Sequence, residues 1–596
     1  MLKPRICNLF SEALSSLYNH QIGAENIAIE NTSKDHEGDL TVVVFPFLKF
    51  SKKSPEQTAK EIGEFLIANS DIIEKCDVIK GFLNITIKNS YWLNFIKNNF
   101  SVQKFGLREN SNIDKTIVIE YSSPNTNKPL HLGHIRNNLT GRAVANIYKA
   151  NGYNVVQVNL INDRGIHICK TMLAWLKWGE GKTPEMLNAK GDTYVGDLYV
   201  KFEKELTKEI TGLKTQGLTD KEAENSSVLL KEIHEMLREW ENNVPEIIEL
   251  WKTMNRWVLK GFEQTYRRMN IAFDKFYYES QTYLLGKDVV LEGVESKIFE
   301  KKPDNSVWVD LTNEGLDEKI LLRSDGTSVY ITQDIGAAIS RFEEWNPSKM
   351  IYVVGNEQNY HFQVLKVILN KLGYKWADDI IHLSYGMVEL PEGKMKSREG
   401  KVVDADQLMN EMFVTASELA LQYGKIEEID SRESKNLIEY VAQGALSYFI
   451  LKVDAKKNIV FNPEESIDFN GDTGPFIQYT HARILSLLKK AKFDEKSNSD
   501  IDYSSINISK VEKQIATLIY EYPNIITKAA DELNPSVIAQ FAYELAKTYN
   551  HFYQTLQVIK EENIKIKTFR LQLSVFVAKV LESGFNILGI KMPGKM

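Results

Sequence analysis

Two histidines three positions apart, His131 and His134, and a cluster of cations at Lys394, Lys396 and Arg398 are the residues of this chain best suited to chemistry on phosphate. Imidazole and ammonium groups hold phosphate oxygens, and a helix start beside them adds backbone N–H groups that favour anions. The stretch NKPLHLGH at 127–134 lies where this applies. Residues 115–121 are β-branched and apolar, and Ile135, Leu139, Val144 and Ile147 recur at helical spacing. That pattern predicts strand, loop, helix, with His131 and His134 sharing a face on the first turn. Gly133 between them leaves a flat ligand unobstructed. Alone, such a histidine pair is more often structural than functional.

The elements that must position these residues follow a recognisable order. Residues 1–108 read as a small α/β unit: an amphipathic first helix carrying Ile6, Phe10, Leu14 and Leu17, a strand after Gly38-Asp39, a helix near 55–69, and the run GFLNITI. In that run Leu83, Ile85 and Ile87 alternate with Asn84 and Thr86, which predicts a strand with one wet face. A polar linker is expected at 106–114. From 115 strands and helices alternate, the pattern of a parallel sheet with crossover helices. Strands are expected at 115–121, 153–160, 351–354 and near 381–389. A helical block at about 185–270 interrupts them, with stripes such as Leu229, Ile233, Met236, Leu237 and Trp240. After about 470 helical patterns take over to residue 596.

Bulk properties narrow the class. A chain of 596 residues that is 43% hydrophobic can bury several cores, which gives a prior of about three or four domains. No apolar run approaches the roughly 18 residues of a membrane span. Cys7, Cys76 and Cys169 have no paired spacing, so neither a disulfide framework nor a zinc knuckle is expected, and a cytoplasmic setting is. The net charge of −7 argues against non-specific polyanion binding but leaves room for an RNA partner on local basic patches.

HLGH at 131–134 and KMKSR at 394–398, about 260 positions apart, resemble the HIGH and KMSKS signatures of class I aminoacyl-tRNA synthetases. Five blocks, the first containing HLGH, narrow the resemblance to the arginyl-tRNA synthetases: IEYSSPNTNKPLHLGH at 119–134, SDGTSVYITQDIGAA at 324–338, VVGNEQNYHF at 353–362, DTGPFIQYTHARI at 472–484 and LAKTYNHFYQ at 545–554. It implies a Rossmann-type catalytic domain at 109–470 with the helical insertion, an N-terminal tRNA-contacting domain at 1–108, and an α-helical anticodon-binding domain at 471–596. It also implies L-arginine, ATP with Mg²⁺ and a tRNA as substrates, no tightly held metal, and a monomer.

The substrate's physics gives an independent check. A guanidinium withdrawn from water needs carboxylates and planar acceptors. Glu120 at a strand end, Asn125 in the next loop, Tyr330 and Asp334 around a strand–helix turn, and Gln358 at the following helix are candidates, because strand ends converge on the ligand crevice of an open parallel sheet. Asp334 has the alternative of capping a helix. Glu120 is harder to explain structurally, since an unpaired buried carboxylate costs several kcal/mol. The resemblance implies that Glu120 and Asp334 face the guanidinium, that Tyr330 closes the pocket, and that Asn125 and Gln358, with Ser122 nearby, hold the rest of the amino acid.

The attacking carboxylate of arginine is already ionised at neutral pH, so no general base is needed and catalysis becomes positioning and charge stabilisation. The resemblance places His131, Gly133 and His134 with Lys394 and Met395 on ATP, and Lys394, Lys396 and Arg398 on the leaving pyrophosphate. The second signature departs from the family pattern at Ser397, where lysine is usual. Lys396, Arg398 or Lys128 can supply that charge, and synthetases of this family often carry a lysine at the position of Lys128. In the helical region Tyr479, Arg483, Tyr549, Asn550 and Tyr553 are candidates for anticodon contacts by stacking and hydrogen bonding, although most aromatics on helical stripes are core. The absence of a Cys/His metal set disfavours a cysteine-specific relative, and two acidic pocket residues disfavour an acidic substrate.

Overall fold

The computed structural model describes residues 2–33, 36–389, 403–422, 431–495, 503 and 506–596. The chain divides into two compact units: 104–485 with 521–547 and 580–596, and 1–103 with 486–520 and 548–579.

The larger unit is built on a five-stranded parallel sheet. In chain order its strands are β1 (Asn112–Glu120), β2 (Tyr153–Ile161), β3 (Lys275–Tyr278), β4 (Lys349–Gly355) and β5 (Ile380–Tyr385), arranged in space as β5-β4-β1-β2-β3. All neighbouring pairs are parallel. Ile117, Val118 and Ile119 on β1 and Met350 to Val353 on β4 are buried throughout. Continuous apolar runs of this kind are what helices on both faces demand. The chain winds outward from β1 through β2 to β3, then returns to place β4 and β5 on the other side. The carboxyl ends of β1 and β4 therefore flank a topological switch point, where such sheets bind ligands. Tyr352 pairs with Glu120 across it.

Helix Leu132–Ala150 follows β1 and is buried along nearly its whole length. Gly141 brings it against Tyr121, whose ring leaves no space for a side chain there. Arg136, 1% exposed, donates to the carbonyls of Gly386, Met387, Ala455 and Lys457 at 2.6–3.0 Å and so satisfies an irregular segment from inside. The expected insertion is present as helices Gly191–Thr215, Asp220–Ser226, Val228–Glu241 and Pro245–Arg268. A small three-stranded sheet spanning 300–322 and helices Ala405–Gln422 and Arg432–Leu451 are additions that apolar spacing did not single out.

The other unit contains an antiparallel four-stranded sheet of Ile29–Asn31, Leu40–Val43, Ile73–Ile79 and Phe82–Ile87, with helices Leu2–Tyr18 and Pro55–Ala68. Ile6, Phe10 and Leu14 are buried as the spacing predicts, while Leu17 is 39% exposed. The expected wet face of Phe82–Ile87 is corrected at Asn84. Its side chain is 1% exposed and its Oδ1 accepts from Thr41 Oγ1 at 2.7 Å, so a polar residue lies inside with its oxygen satisfied by a neighbouring strand. This N-terminal segment does not pack alone. Lys513 bridges Asp39 at 2.8 Å and donates to the Ile87 carbonyl, and Phe95 packs on Phe576. Among the described residues no helix is long and apolar enough to cross a membrane.

Candidate active site

The helix that carries the histidines starts at Leu132, so His131 is its N-cap rather than part of its first turn. His131 Nδ1 accepts from the Gly133 N–H at 3.1 Å, and His134 Nδ1 accepts from the His131 N–H at 3.1 Å. Two donors at the helix start are thereby satisfied reciprocally. The Leu132 N–H is also used, donating to the Val403 carbonyl at 3.3 Å. Burial, with a smaller contribution from Lys128, pushes His131 down to about 4. His134 lies well below its ordinary value, chiefly through burial. Both rings are thus neutral at pH 7. With Nδ1 accepting, the single proton of each ring sits on Nε2, and each histidine is a hydrogen-bond donor without charge. Gly133 also serves the cap, since a Cβ there would meet the His131 ring at 3.0 Å.

A cavity of about 410 Å³ opens beside His131, lined also by Asn125, Lys128, Gly196 and Asp404. Helix Gly191–Thr215 of the insertion forms one wall and approaches closely at Gly196, where a Cβ would meet Pro129 at 2.6 Å. Lys128 is largely buried, and that burial lowers its pKa. Among the described residues it has no counter-ion. Val403–Ala405 runs antiparallel to Leu130–Leu132: His131 pairs with Asp404, and the Ala405 N–H donates to the Leu130 carbonyl at 2.9 Å. Lys394, Met395, Lys396 and Arg398, expected to complete the phosphate site, lie outside the described residues.

The amino-acid side of the crevice begins with a backbone feature. Ser122 and Ser123, directly after β1, adopt φ of 79° and 44°. Non-glycine residues in this region carry strain and persist where their surroundings fix them. Here Asn137 Oδ1 accepts from the Ser122 N–H at 2.6 Å and Asn159 Oδ1 from the Ser123 N–H at 3.0 Å. Asn137 Nδ2 in turn donates to the Val353 carbonyl and the Tyr385 hydroxyl, tying the ends of β1, β4 and β5 to one side chain. The Ser122 hydroxyl lies 2.6 Å from the buried Tyr266 hydroxyl.

Glu120 is buried and ion-paired with Arg341, which is 2% exposed. Burial raises the Glu120 carboxyl, while Arg341, opposed by burial, is held charged by that same carboxylate. Tyr277 and Tyr352 frame the guanidinium at 4.8 and 5.7 Å. Asp334 lies within helix Tyr330–Trp345, whose N-cap is Val329, so it caps nothing. Its Oδ2 instead meets His361 Nε2 at 2.6 Å. Tyr330 is 76% exposed at the helix start, Asn125 is exposed and bridged to Asn162, and Gln358 is exposed just before helix Asn359–Lys371.

Three family models match the chain: the class I (R) tRNA synthetase catalytic domain over 97–463, the DALR anticodon-binding domain over 477–596, and the arginyl-tRNA synthetase N-terminal domain over 5–87. A protein of Bacteroides thetaiotaomicron named arginine–tRNA ligase is 53% identical over 98% of both chains, and one of the same name from Parabacteroides distasonis is 51% identical over the full length of both. The chain belongs to the arginyl-tRNA synthetase family. The solved Thermus thermophilus arginyl-tRNA synthetase shares the fold, with a TM-score of 0.78 and 23% identity, and the likeness covers all of both chains.

For this arginyl-tRNA synthetase family member, sequence reasoning passed over Arg341, His361, Asn137 and Asn159. His361 lies inside the block VVGNEQNYHF and Arg341 stands two helical turns after Asp334, so both were within reach. The asparagines carried no periodic signal. Of the anticodon candidates, Arg483 lies over the Tyr479 ring at 4.7 Å, Tyr549 is fully buried with its hydroxyl donating to Ser574 at 2.9 Å, Asn550 is half-buried, and Tyr553 is 38% exposed.

Proposed function

We propose that Lys128, His131 and His134 hold the phosphates of ATP while Glu120, Asn125, Tyr330, Asp334 and Gln358 receive L-arginine, with Ser122 fixing the loop between them. As a member of its family the chain is an arginine–tRNA ligase of class I. In the first step an oxygen of the arginine carboxylate bonds the α-phosphorus, the bond to the β-phosphate bridging oxygen breaks, and pyrophosphate leaves. In the second, the 2′-hydroxyl of the terminal adenosine of tRNA attacks the arginyl carbonyl and AMP leaves.

The observation that carries these roles is Lys128, a largely buried cation without a counter-ion among the described residues, lining one crevice with the neutral N–H donor His131, against whose ring His134 packs. Such an arrangement costs desolvation until an anion arrives. A triphosphate, bound with Mg²⁺ as substrate, supplies that anion, and the charge growing on pyrophosphate strengthens the contact in the transition state. Lys394, Met395, Lys396 and Arg398 stay in the proposal on sequence grounds. Asp334 offers a carboxylate whose present partner, His361, can give way to a guanidinium. Gly133, at the cap, keeps the approach to the His131 ring open. Tyr479, Arg483, Asn550, Tyr549 and Tyr553 remain anticodon candidates, with Tyr553 favoured by its exposure. A monomer in the cytoplasm completes the reading; the three free thiols, two of which burial pushes up to about 12, support the compartment.

Arginine-dependent ATP–pyrophosphate exchange, with and without tRNA, is the direct test. Exchange is expected only with cognate tRNA present, and no exchange under either condition overturns the reading. Citrulline, which keeps the shape and loses the charge, should fail as a substrate.

A further inference from the structure

Besides the close approach of Gly196 to Pro129, the insertion is tied by one largely buried lysine, Lys190, to the helix that begins beside the histidine loop. Lys190 Nζ lies 2.8 Å from Asp192 Oδ2, 2.6 Å from Asp406 Oδ2 and 2.6 Å from Thr265 Oγ1, so each of its three N–H groups has an acceptor. The Thr265 hydroxyl in turn donates a hydrogen bond to Asp406 Oδ2 at 2.9 Å. The Asp192 side chain is completely buried and that of Lys190 is 17% exposed. The packing leaves no slack around this node. A Cβ on Gly261 would meet Asp192 Oδ1 at 2.2 Å, and one on Gly191 would meet the Trp257 carbonyl at 2.1 Å.

Asp406 stands in the first turn of helix Ala405–Gln422, which Asp404 caps by accepting from the Asp406 and Gln407 N–H groups at 2.8 and 3.0 Å. The same Asp404 pairs with His131, and Ala405 with Leu130. A continuous set of short contacts therefore runs from the insertion through Lys190 and Asp406 to the residue that caps the histidine helix. Arg268 braces the same helix further along, bonding Asn410 Oδ1 at 2.6 Å and the Met409 carbonyl at 3.0 Å. With that brace in place, Lys190 is not required merely to keep the helix attached. A buried ion pair also contributes little net stability compared with apolar packing, whereas its directional bonds fix geometry.

We propose that Lys190 is a positioning residue for the ATP half of the reaction, fixing the Val403–Ala405 ladder and through it His131. The inference rests on the assignment of His131 to ATP.

The test is ATP–pyrophosphate exchange by the full chain with cognate tRNA, comparing Lys190→Arg with the double variant Lys190→Met/Asp192→Asn, which removes the fully buried charge together with its cation. The double variant should raise KM for ATP or lower kcat by about tenfold to a hundredfold, the scale of a misplacement near 1 Å, and leave KM for arginine within about twofold. Lys190→Arg should recover most of that loss. Should the double variant fail to fold, Thr265→Val, which removes one neutral partner, is expected to shift the ATP parameters alone and in the same direction. Unchanged ATP kinetics in a folded variant, equal losses toward ATP and arginine, or a silent Thr265→Val overturn the proposal. Absence of exchange in the parent protein instead overturns the functional reading on which it stands.

Discussion

Glu120 and Arg341 are each other's counter-ion, a carboxylate and a guanidinium both withdrawn from water at the carboxyl end of β1. The pair explains how an acidic residue tolerates a strand whose other members are apolar. It also shows that this carboxylate already stabilises one guanidinium. Replacing Arg341 by Met leaves Glu120 bare, which should cost about 3–5 kcal/mol, whereas Arg341→Met combined with Glu120→Met should recover most of that stability. The double variant is expected to fold and to have lost arginine activation. Denaturant unfolding of the single and double variants checks this, and a single variant as stable as its parent would refute it.

Lys128 makes the opposite prediction for stability. Its charge is desolvated without compensation among the described residues, so Lys128→Met should leave the melting temperature unchanged or raised. Exchange activity should fall by about a hundredfold or more, because the cation works on charge that develops at the phosphates. Calorimetry and exchange kinetics on one preparation decide it. A destabilised variant with normal exchange would identify Lys128 as structural.

The parts of this architecture that could be read from sequence are those governed by local periodicity. The apolar run through Ile117, Val118 and Ile119 foretells a doubly covered strand, and the helix after it follows from the spacing of Ile135, Leu139 and Ile147. Asn84 was misread because alternation reports side-chain direction, while what covers a face depends on neighbours distant in sequence. The same limit hid Arg341, which by type alone reads as a solvated helix residue, and the pairing of His131 with Asp404, about 270 positions apart. The left-handed conformations of Ser122 and Ser123 gave no signal either, since neither is Gly, Asn or Asp; their support comes from Asn137 and Asn159 on other elements.

The histidine cap carries a definite acid response. In the unfolded chain His131 takes up a proton near pH 6.5, whereas in the folded protein burial holds it neutral down to about 4. Between those values the unfolded state binds more protons, so stability falls as pH drops from 6.5 toward 4 and is unaffected by this group above 6.5. His134 acts in the same direction. At about 1.4 kcal/mol for each pH unit of difference, His131 alone accounts for up to about 3 kcal/mol across the window. His131→Asn, which keeps an N-capping side chain and removes the titration, should lose less stability between pH 7.5 and pH 5 than the parent does. Melting curves at the two pH values test it, and equal acid losses in both proteins would show that the cap does not titrate as described.

Tyr549 and Tyr553 stand one helical turn apart on Ser536–Thr555 and should separate stability from tRNA recognition. Tyr549 is fully buried, bonded to Ser574 at 2.9 Å and packed on Phe552 at 5.4 Å. Tyr549→Ala should therefore cost about 3–5 kcal/mol, as large-to-small core substitutions do. Tyr553 has 38% of its surface in water, so its removal should change stability by no more than about 0.5 kcal/mol. If its ring stacks on an anticodon base, Tyr553→Ala should instead weaken tRNA binding by about 1–3 kcal/mol, or roughly 5- to 150-fold, with arginine and ATP constants unchanged. Filter binding of cognate tRNA beside thermal melting distinguishes the two tyrosines. Normal tRNA affinity in Tyr553→Ala would remove that residue from the interface and shift attention to Arg483, whose guanidinium already lies on the Tyr479 ring.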